Sequence, residues 1–308
     1  MRERPEAILR QFHAWEPRTD KVPFQWRARL LQSVWREAAG LKAGEYRSKT
    51  RGARLVMPEA AVTLANYLTE NIRAVVRREV EDPSRSRGKL YGKPRIYDNL
   101  LSSQPLCFNL FAELSIDLAL ASGVFQDLTN GRVREVLAID FEHSPGRGDP
   151  RYTGDRSAFD VYVSFLNARN QPGFIGIEVK YHENLQDEVS AHRARYDQIA
   201  AEMGCFHEDK LATLKRKPLQ QIWRDHLLVG AHQFVDAYAD ALFVFLYPEE
   251  NTACAQAVQA YECCLNDNNT FEGWTLERVV SRLSAHSEAE WIQAFRSRYL
   301  DFAALPKG

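Results

Sequence analysis

Apolar and polar positions change their spacing several times along the chain. Up to about residue 80 the apolar positions recur at helical spacing, in QWRARLLQSVWREAAGL and again in AAVTLANYLTENIRAVVRREV after Pro58, so the first eighty residues read as helical. EDPSRSRGKLYGKPR, residues 81–95, interrupts this with Gly, Pro and basic side chains and predicts a mobile loop and a boundary. A helix apolar over most of its circumference follows at about 104–122, which predicts that it is buried. Three strand-like segments come next: VREVLAIDFE, AFDVYVSF and GFIGIEVKY. Residues 190–238 return to helical spacing with a break near Lys217-Pro218, and ALFVFLYP (241–248) is a continuous apolar run, typical of a strand buried on both faces. TACAQAVQAYECCL, WTLERVVSRL and SEAEWIQAFRSRYL close the chain as helices. The order helix, three strands, helix, strand predicts a mixed α/β (α+β) core. Two units are expected: a helical, basic region over residues 1–95, and the α/β core with its C-terminal helices over 96–308.

Composition narrows the class. The 308 residues are 45% apolar and 26% charged, the make-up of a soluble protein with a sizeable core. No run of eighteen apolar residues occurs, so no membrane partner is expected. The start, MRERPEAILRQFHAWEPR, lacks the apolar stretch of a signal peptide, and the five cysteines are odd in number and scattered; a cytoplasmic location is expected. Cys205-Phe206-His207 and the Cys263-Cys264 pair lack zinc-site spacing. The net charge of -1 conceals an asymmetry: residues 1–100 hold nine more basic than acidic side chains, and the remainder ten more acidic than basic. Such a division predicts either a surface for a polyanion or two parts that neutralise each other.

The chemistry lies in the second and third strands. In AFDVYVSF, Phe159, Val161, Val163 and Phe165 share one face, with Asp160, Tyr162 and Ser164 on the other; in GFIGIEVKY, Ile175, Ile177 and Val179 oppose Phe174, Gly176, Glu178 and Lys180. The short link NARNQPG predicts an antiparallel hairpin. Matching apolar faces allows a register with Asp160 opposite Glu178, Tyr162 opposite Gly176 and Ser164 opposite Phe174. Two half-buried carboxylates repel and require a cation. Mg²⁺, which prefers oxygen ligands, suits them, with Mn²⁺ as a substitute, and Lys180 then stands where an attacking water needs orienting. Gly176 leaves space on that face. The plainer alternative is an exposed sheet face where Lys180 only bridges a carboxylate.

Asp160 followed by Glu178-Val179-Lys180 resembles the D…(D/E)xK signature of the PD-(D/E)XK nuclease superfamily, and the order of elements is similar to its common core. LLSSQPLCFNLF (100–111), GFIGIEVKYHE (173–183) and QQIWRDHLL (220–228) resemble a bacterial, restriction-endonuclease-like group within it. Phe159 stands where the superfamily often has Pro. The resemblance implies Mg²⁺-dependent phosphodiester hydrolysis, usually on DNA, with Asp160, Glu178 and Lys180 catalytic. It also implies a helical Glu, matched by Glu113, as a further metal ligand beside Asp160 and Glu178, and polar side chains sent to the site by the later helix, matched by Gln221 and Arg224. Basic loops supply candidate phosphate contacts: Arg85, Arg87, Lys89 and Lys93 in the first, and Arg147, Arg151 and Arg156 just before Asp160. The expected protein is a metal-dependent DNA endonuclease of restriction or defence type acting on double-stranded DNA, with a homodimer allowed by the sequence. The alternatives are a binding module that keeps the fold without turnover, and a nuclease for RNA or branched DNA.

Overall fold

The computed structural model describes residues 4–306. The chain opens with α1 (Glu6–Gln11) and α2 (Pro23–Ala38), then departs from the expected all-helical start. Strands β1 (Ala43–Tyr46) and β2 (Lys49–Leu55) form an antiparallel hairpin. Its two turn residues, Arg47 and Ser48, have φ of 50° and 58°, conformations usually given to Asn or Gly, so the sequence carries no turn signature there. Gly52 is required by close approach, because a Cβ would lie 2.0 Å from the Phe12 carbonyl oxygen.

The second helical stretch is also divided. Leu64 at φ 52° separates α3 (Glu59–Thr63) from α4 (Glu70–Val76), which runs on into a wider π turn at Arg77–Glu81. Residues 81–95 are tied down, in contrast to the mobile loop expected. They include α5 (Pro83–Ser86) and lead to α6 (Arg95–Asp98); Gln104 accepts from Gly92 N at 3.0 Å and donates to Leu90 O at 3.2 Å. The single helix expected over 104–122 is two: α7 (Ser103–Ile116) and α8 (Leu118–Leu128), bent by 115° where Asp117 caps α8. No single described helix is long and apolar enough to cross a membrane.

The main sheet has five strands, β3 (Val133–His143), β4 (Phe159–Asn167), β5 (Pro172–Val179), β6 (Asp240–Tyr247) and β7 (Phe271–Thr275), in that spatial order. The first three are antiparallel, and β6 and β7 are added parallel. Strand β7 was hidden at the start of WTLERVVSRL, whose helix, α13 (Leu276–His286), begins only after it. Between β5 and β6 lie α9 (Ala194–Met203), α10 (Leu211–Leu214) and α11 (Gln220–Val235); α12 (Thr252–Glu262) and α14 (Glu290–Tyr299) complete the chain.

Strand β6 is buried on both sides, as its unbroken apolar run requires: Leu242, Val244 and Leu246 join one core, and Phe243, Phe245 and Tyr247 the other. The first core is closed by α7, α8, α13 and α14 and includes Phe24, Ile72 and Val76 from the N-terminal region. The second is closed by α9, α11 and α12. The mixed α/β architecture expected from the order of elements is therefore present, with the sheet sandwiched between two helical layers.

Candidate active site

The β4–β5 hairpin has the expected register, pairing Val161 with Ile177, Tyr162 with Gly176 and Ser164 with Phe174. On the Asp160 side the ladder ends at the Val161–Ile177 pair, so the expected pairing of Asp160 with Glu178 is not a ladder position. Asp160 extends the ladder with its side chain, Oδ2 accepting from Val179 N at 2.9 Å. One detail of the alternation is overturned. Phe159 packs with Tyr162 and Phe174 in the second core and fills the hole above Gly176, where a Cβ would lie 2.5 Å from its ring. The space expected beside Gly176 is thus taken. Asp160 instead borders a small cavity with Gln104, Cys107 and Glu142 on the α7 side. Glu178, bonded to Gln221 of α11, still acts on the Asp160 carboxyl electrostatically.

Glu178 is buried at 7% exposure, and its Oε1 accepts from Lys180 Nζ and from Gln221 Nε2, both at 2.7 Å. Its Oε2 accepts no hydrogen bond among the described residues. Burial raises the Asp160 carboxyl well above its usual range, and repulsion from Glu178 adds to this, outweighing Lys180 and the Val179 N–H. Burial alone would push the Lys180 ammonium down, but Glu178, Glu183 and Asp160 together raise it, so it stays charged at neutral pH. Glu183 accepts from the N–H groups of Tyr181 and His182 and, with Lys180 and Gln221, lines an opening to solvent.

Sequence reasoning missed Asp225, four residues after Gln221 and therefore on its face of α11. It is 3% exposed, its Oδ2 has no hydrogen-bond partner among the described residues, and burial followed by Glu178 repulsion raises it well above the carboxylate range. The available signal was one acidic residue in the apolar part of QQIWRDHLL.

Other expected members are not brought in. Glu113 Oε1 and Oε2 accept from Thr69 Oγ1 and Asn71 Nδ2, fastening α7 to the start of α4. It lies six residues beyond Cys107, roughly 9 Å further along α7 from the Asp160 cavity. Arg224 turns from Gln221 toward Ser190 and Asp155, its Nε 3.7 Å from Asp155 Oδ2. Arg85 and Lys89 both pair with buried Glu79, and Lys93 reaches the Val80 carbonyl. Arg147 pairs with Glu142 and Arg151 with Asp149, while Arg87 and Arg156 are exposed. Of the ion pairs made by basic residues of the first hundred, only Arg27 with Glu250 reaches the acidic remainder, so the basic excess is not neutralised across an interface among the described residues.

Hard oxygen donors at Asp160 and Glu178, short of positive charge, fit a divalent cation that keeps waters and takes one or two protein carboxylates. No group of three or more His, Cys, Asp or Glu side chains is gathered for a metal among the described residues, so such an ion would need water or substrate to complete its shell. No curated protein and no solved structure matches the chain significantly. A family model for the PD-(D/E)XK nuclease superfamily matches residues 18–301, which include both helical layers and the hairpin bearing Asp160, Glu178 and Lys180; the chain belongs to that superfamily.

Proposed function

We propose that the protein is a Mg²⁺-dependent endonuclease that hydrolyses phosphodiester bonds in double-stranded DNA, in restriction or another defence against foreign DNA. The observation that carries this reading is the convergence of Lys180 Nζ and Gln221 Nε2 on Glu178 Oε1 beside the charge-strained Asp160. Asp160 and Glu178 would hold the ion, Glu178 through Oε2. When bound, the ion supplies charge neutralisation at the phosphate and lowers the pKa of a coordinated water. Lys180, held as an ammonium, orients the attacking water and donates to the charge that develops on the phosphate oxygens. Gln221 fixes the rotamer of Glu178. Asp225, buried beside Glu178, has its carboxyl raised well above the usual range, so ionising it together with Glu178 and Asp160 would call for a cation.

The test is a cleavage assay on closed circular and linear duplex DNA, single-stranded DNA, RNA and branched DNA, each with EDTA, Mg²⁺ or Mn²⁺. Nicking of closed circular DNA that requires metal and is lost in Asp160→Ala is the expected result. Cleavage confined to RNA or branched DNA would move the substrate class. Tight binding with no cleavage in any metal would leave a non-cleaving binding module.

A further inference from the structure

Beside the carboxylates lies a second polar hollow, lined by Arg156, Ser157, Ser190, Arg193 and Arg224 together with Asp155. Two buried donors in it make no hydrogen bond among the described residues. Ser157 is 8% exposed; its Oγ makes no well-formed hydrogen bond and leans on the Asp155 carboxylate, which it helps to hold below its usual range. Arg224 Nε is the other; it lies 3.7 Å from Asp155 Oδ2 and 3.9 Å from Asp225 Oδ1, beyond hydrogen-bond reach of either, while Nη1 donates to Ser190 Oγ.

The N-terminus of α9 opens onto the same hollow. Arg193 is its N-cap residue and offers no side-chain cap, and the N–H groups of Ala194 and Arg195 find no acceptor among the described residues. A ten-residue helix with free N–H groups favours an anion at that end. The charge balance agrees. Arg156, Arg193 and Arg224 meet two carboxylates, Asp155 and, beside Arg224, Asp225, and Asp155 is already committed to Tyr196 Oη, Thr153 Oγ1 and Ser157 N.

We propose that this hollow is a phosphate subsite, in which Arg156, Arg193, Arg224 and Ser157 hold a backbone phosphate of the nucleic acid near the one presented to Asp160 and Glu178. It rests on the nuclease reading and deepens it. Position supports it: Arg224 is three residues along α11 from Gln221, and Ser157 three residues before Asp160. Those offsets correspond to about 5 Å along a helix and at most about 10 Å along extended chain, the scale of neighbouring phosphates on one strand. A phosphate here would satisfy both donors and the helix end, and would fix the strand's register without reading its bases.

The experiment is fluorescence anisotropy of the full chain with a short labelled duplex in Ca²⁺, over a range of salt, for wild type, Arg193→Gln, Arg193→Lys, Ser157→Ala and the distant control Arg282→Gln. Arg193→Gln is expected to raise Kd about tenfold and to reduce the slope of log affinity against log salt by about one; Arg193→Lys recovers part of this. Ser157→Ala weakens binding by a smaller factor at unchanged slope, and Arg282→Gln matches wild type. A single neutral methylphosphonate scanned along the strand should weaken wild type at one or two positions and leave Arg193→Gln indifferent there. Wild-type affinity and slope in Arg193→Gln, with melting curves confirming the fold, would overturn the subsite while leaving the nuclease reading intact. Binding without cleavage would overturn the nuclease reading and leave the subsite standing. A wild type that binds no nucleic acid would overturn both.

Discussion

Gln221 Nε2 lies 2.7 Å from Glu178 Oε1, a bond that runs from α11 to the end of β5 and fixes one carboxylate of the candidate site. Because Gln221 is argued to act through Glu178, it is a positioning residue. Removing such a partner generally costs 10- to 100-fold in metal affinity or activity. Gln221→Ala should therefore raise the Mg²⁺ concentration needed for half-maximal cleavage by about 10-fold or more, and saturating Mg²⁺ should restore much of the rate. Titration of cleavage rate against Mg²⁺ reads this directly, and a curve superimposable on wild type would show that Lys180 suffices to hold Glu178.

Among the described residues Lys180 is the one cation bonded to Glu178, and its loss has two consequences. Lys180→Ala should abolish cleavage while duplex binding in Ca²⁺ persists. In EDTA it should also lower stability by about 1–3 kcal/mol, since Glu178 keeps only Gln221 as a donor. Mg²⁺ should return part of that stability, because the ion compensates the same carboxylates. Melting curves with and without Mg²⁺ beside a nicking assay test both. Cleavage at the wild-type rate by Lys180→Ala would rule out its role with the water.

Stability should depend on pH in two opposed ways. Asp160 and Asp225 have folded-state pKa values raised by burial and by Glu178, so their contribution is full below the unfolded carboxylate value of about 3.9 and is lost as pH rises through the raised values. Burial lowers His143 to about 4 and His226 to about 3, so their contribution is full above the unfolded value near 6.5 and is lost as pH falls below it. In EDTA the melting temperature should pass through a maximum in mildly acidic buffer and decline toward alkaline pH. Mg²⁺ should flatten the alkaline decline, as should Asp160→Asn. An alkaline limb identical in Asp160→Asn and wild type would show that Asp160 is already compensated.

The parts of the fold that the sequence made legible are those set by simple periodicity within one element. The β4–β5 register followed from matching apolar faces, and the burial of β6 from its unbroken apolar run. What escaped depended on partners distant in sequence. The β1–β2 hairpin has an unmarked turn and a polar outer strand, and it folds because Gly52 allows close approach to Phe12. Phe159 left its expected face because the hole over Gly176 was available, and that choice redirected Asp160. Asp225 carries no motif, and its character arises only when α11 is laid against Glu178. In the same way Glu113 matched a motif position, but Thr69 and Asn71 claimed it from a segment forty residues earlier.

Glu113 thus offers a test of whether motif position or observed geometry is the better guide to metal ligation. Its carboxylate joins Thr69 Oγ1 and Asn71 Nδ2, and Thr69 at the same time caps α4 by accepting from Ile72 N at 3.1 Å. The group therefore stabilises the junction of α4 with α7. Removing the shared acceptor of two side-chain hydrogen bonds costs about 1–2 kcal/mol in typical proteins. Glu113→Ala should lower the melting temperature by the same amount in EDTA and in Mg²⁺, while the Mg²⁺ dependence of cleavage stays that of wild type. A metal ligand would give the reverse pattern: little change in EDTA, loss of the stabilisation that Mg²⁺ confers, and a rate that recovers only at much higher Mg²⁺. Parallel melting curves and a Mg²⁺ titration of nicking distinguish the two. The reverse pattern would require α7 to slide or rotate toward Asp160 when the ion binds, breaking both of the hydrogen bonds that now hold Glu113.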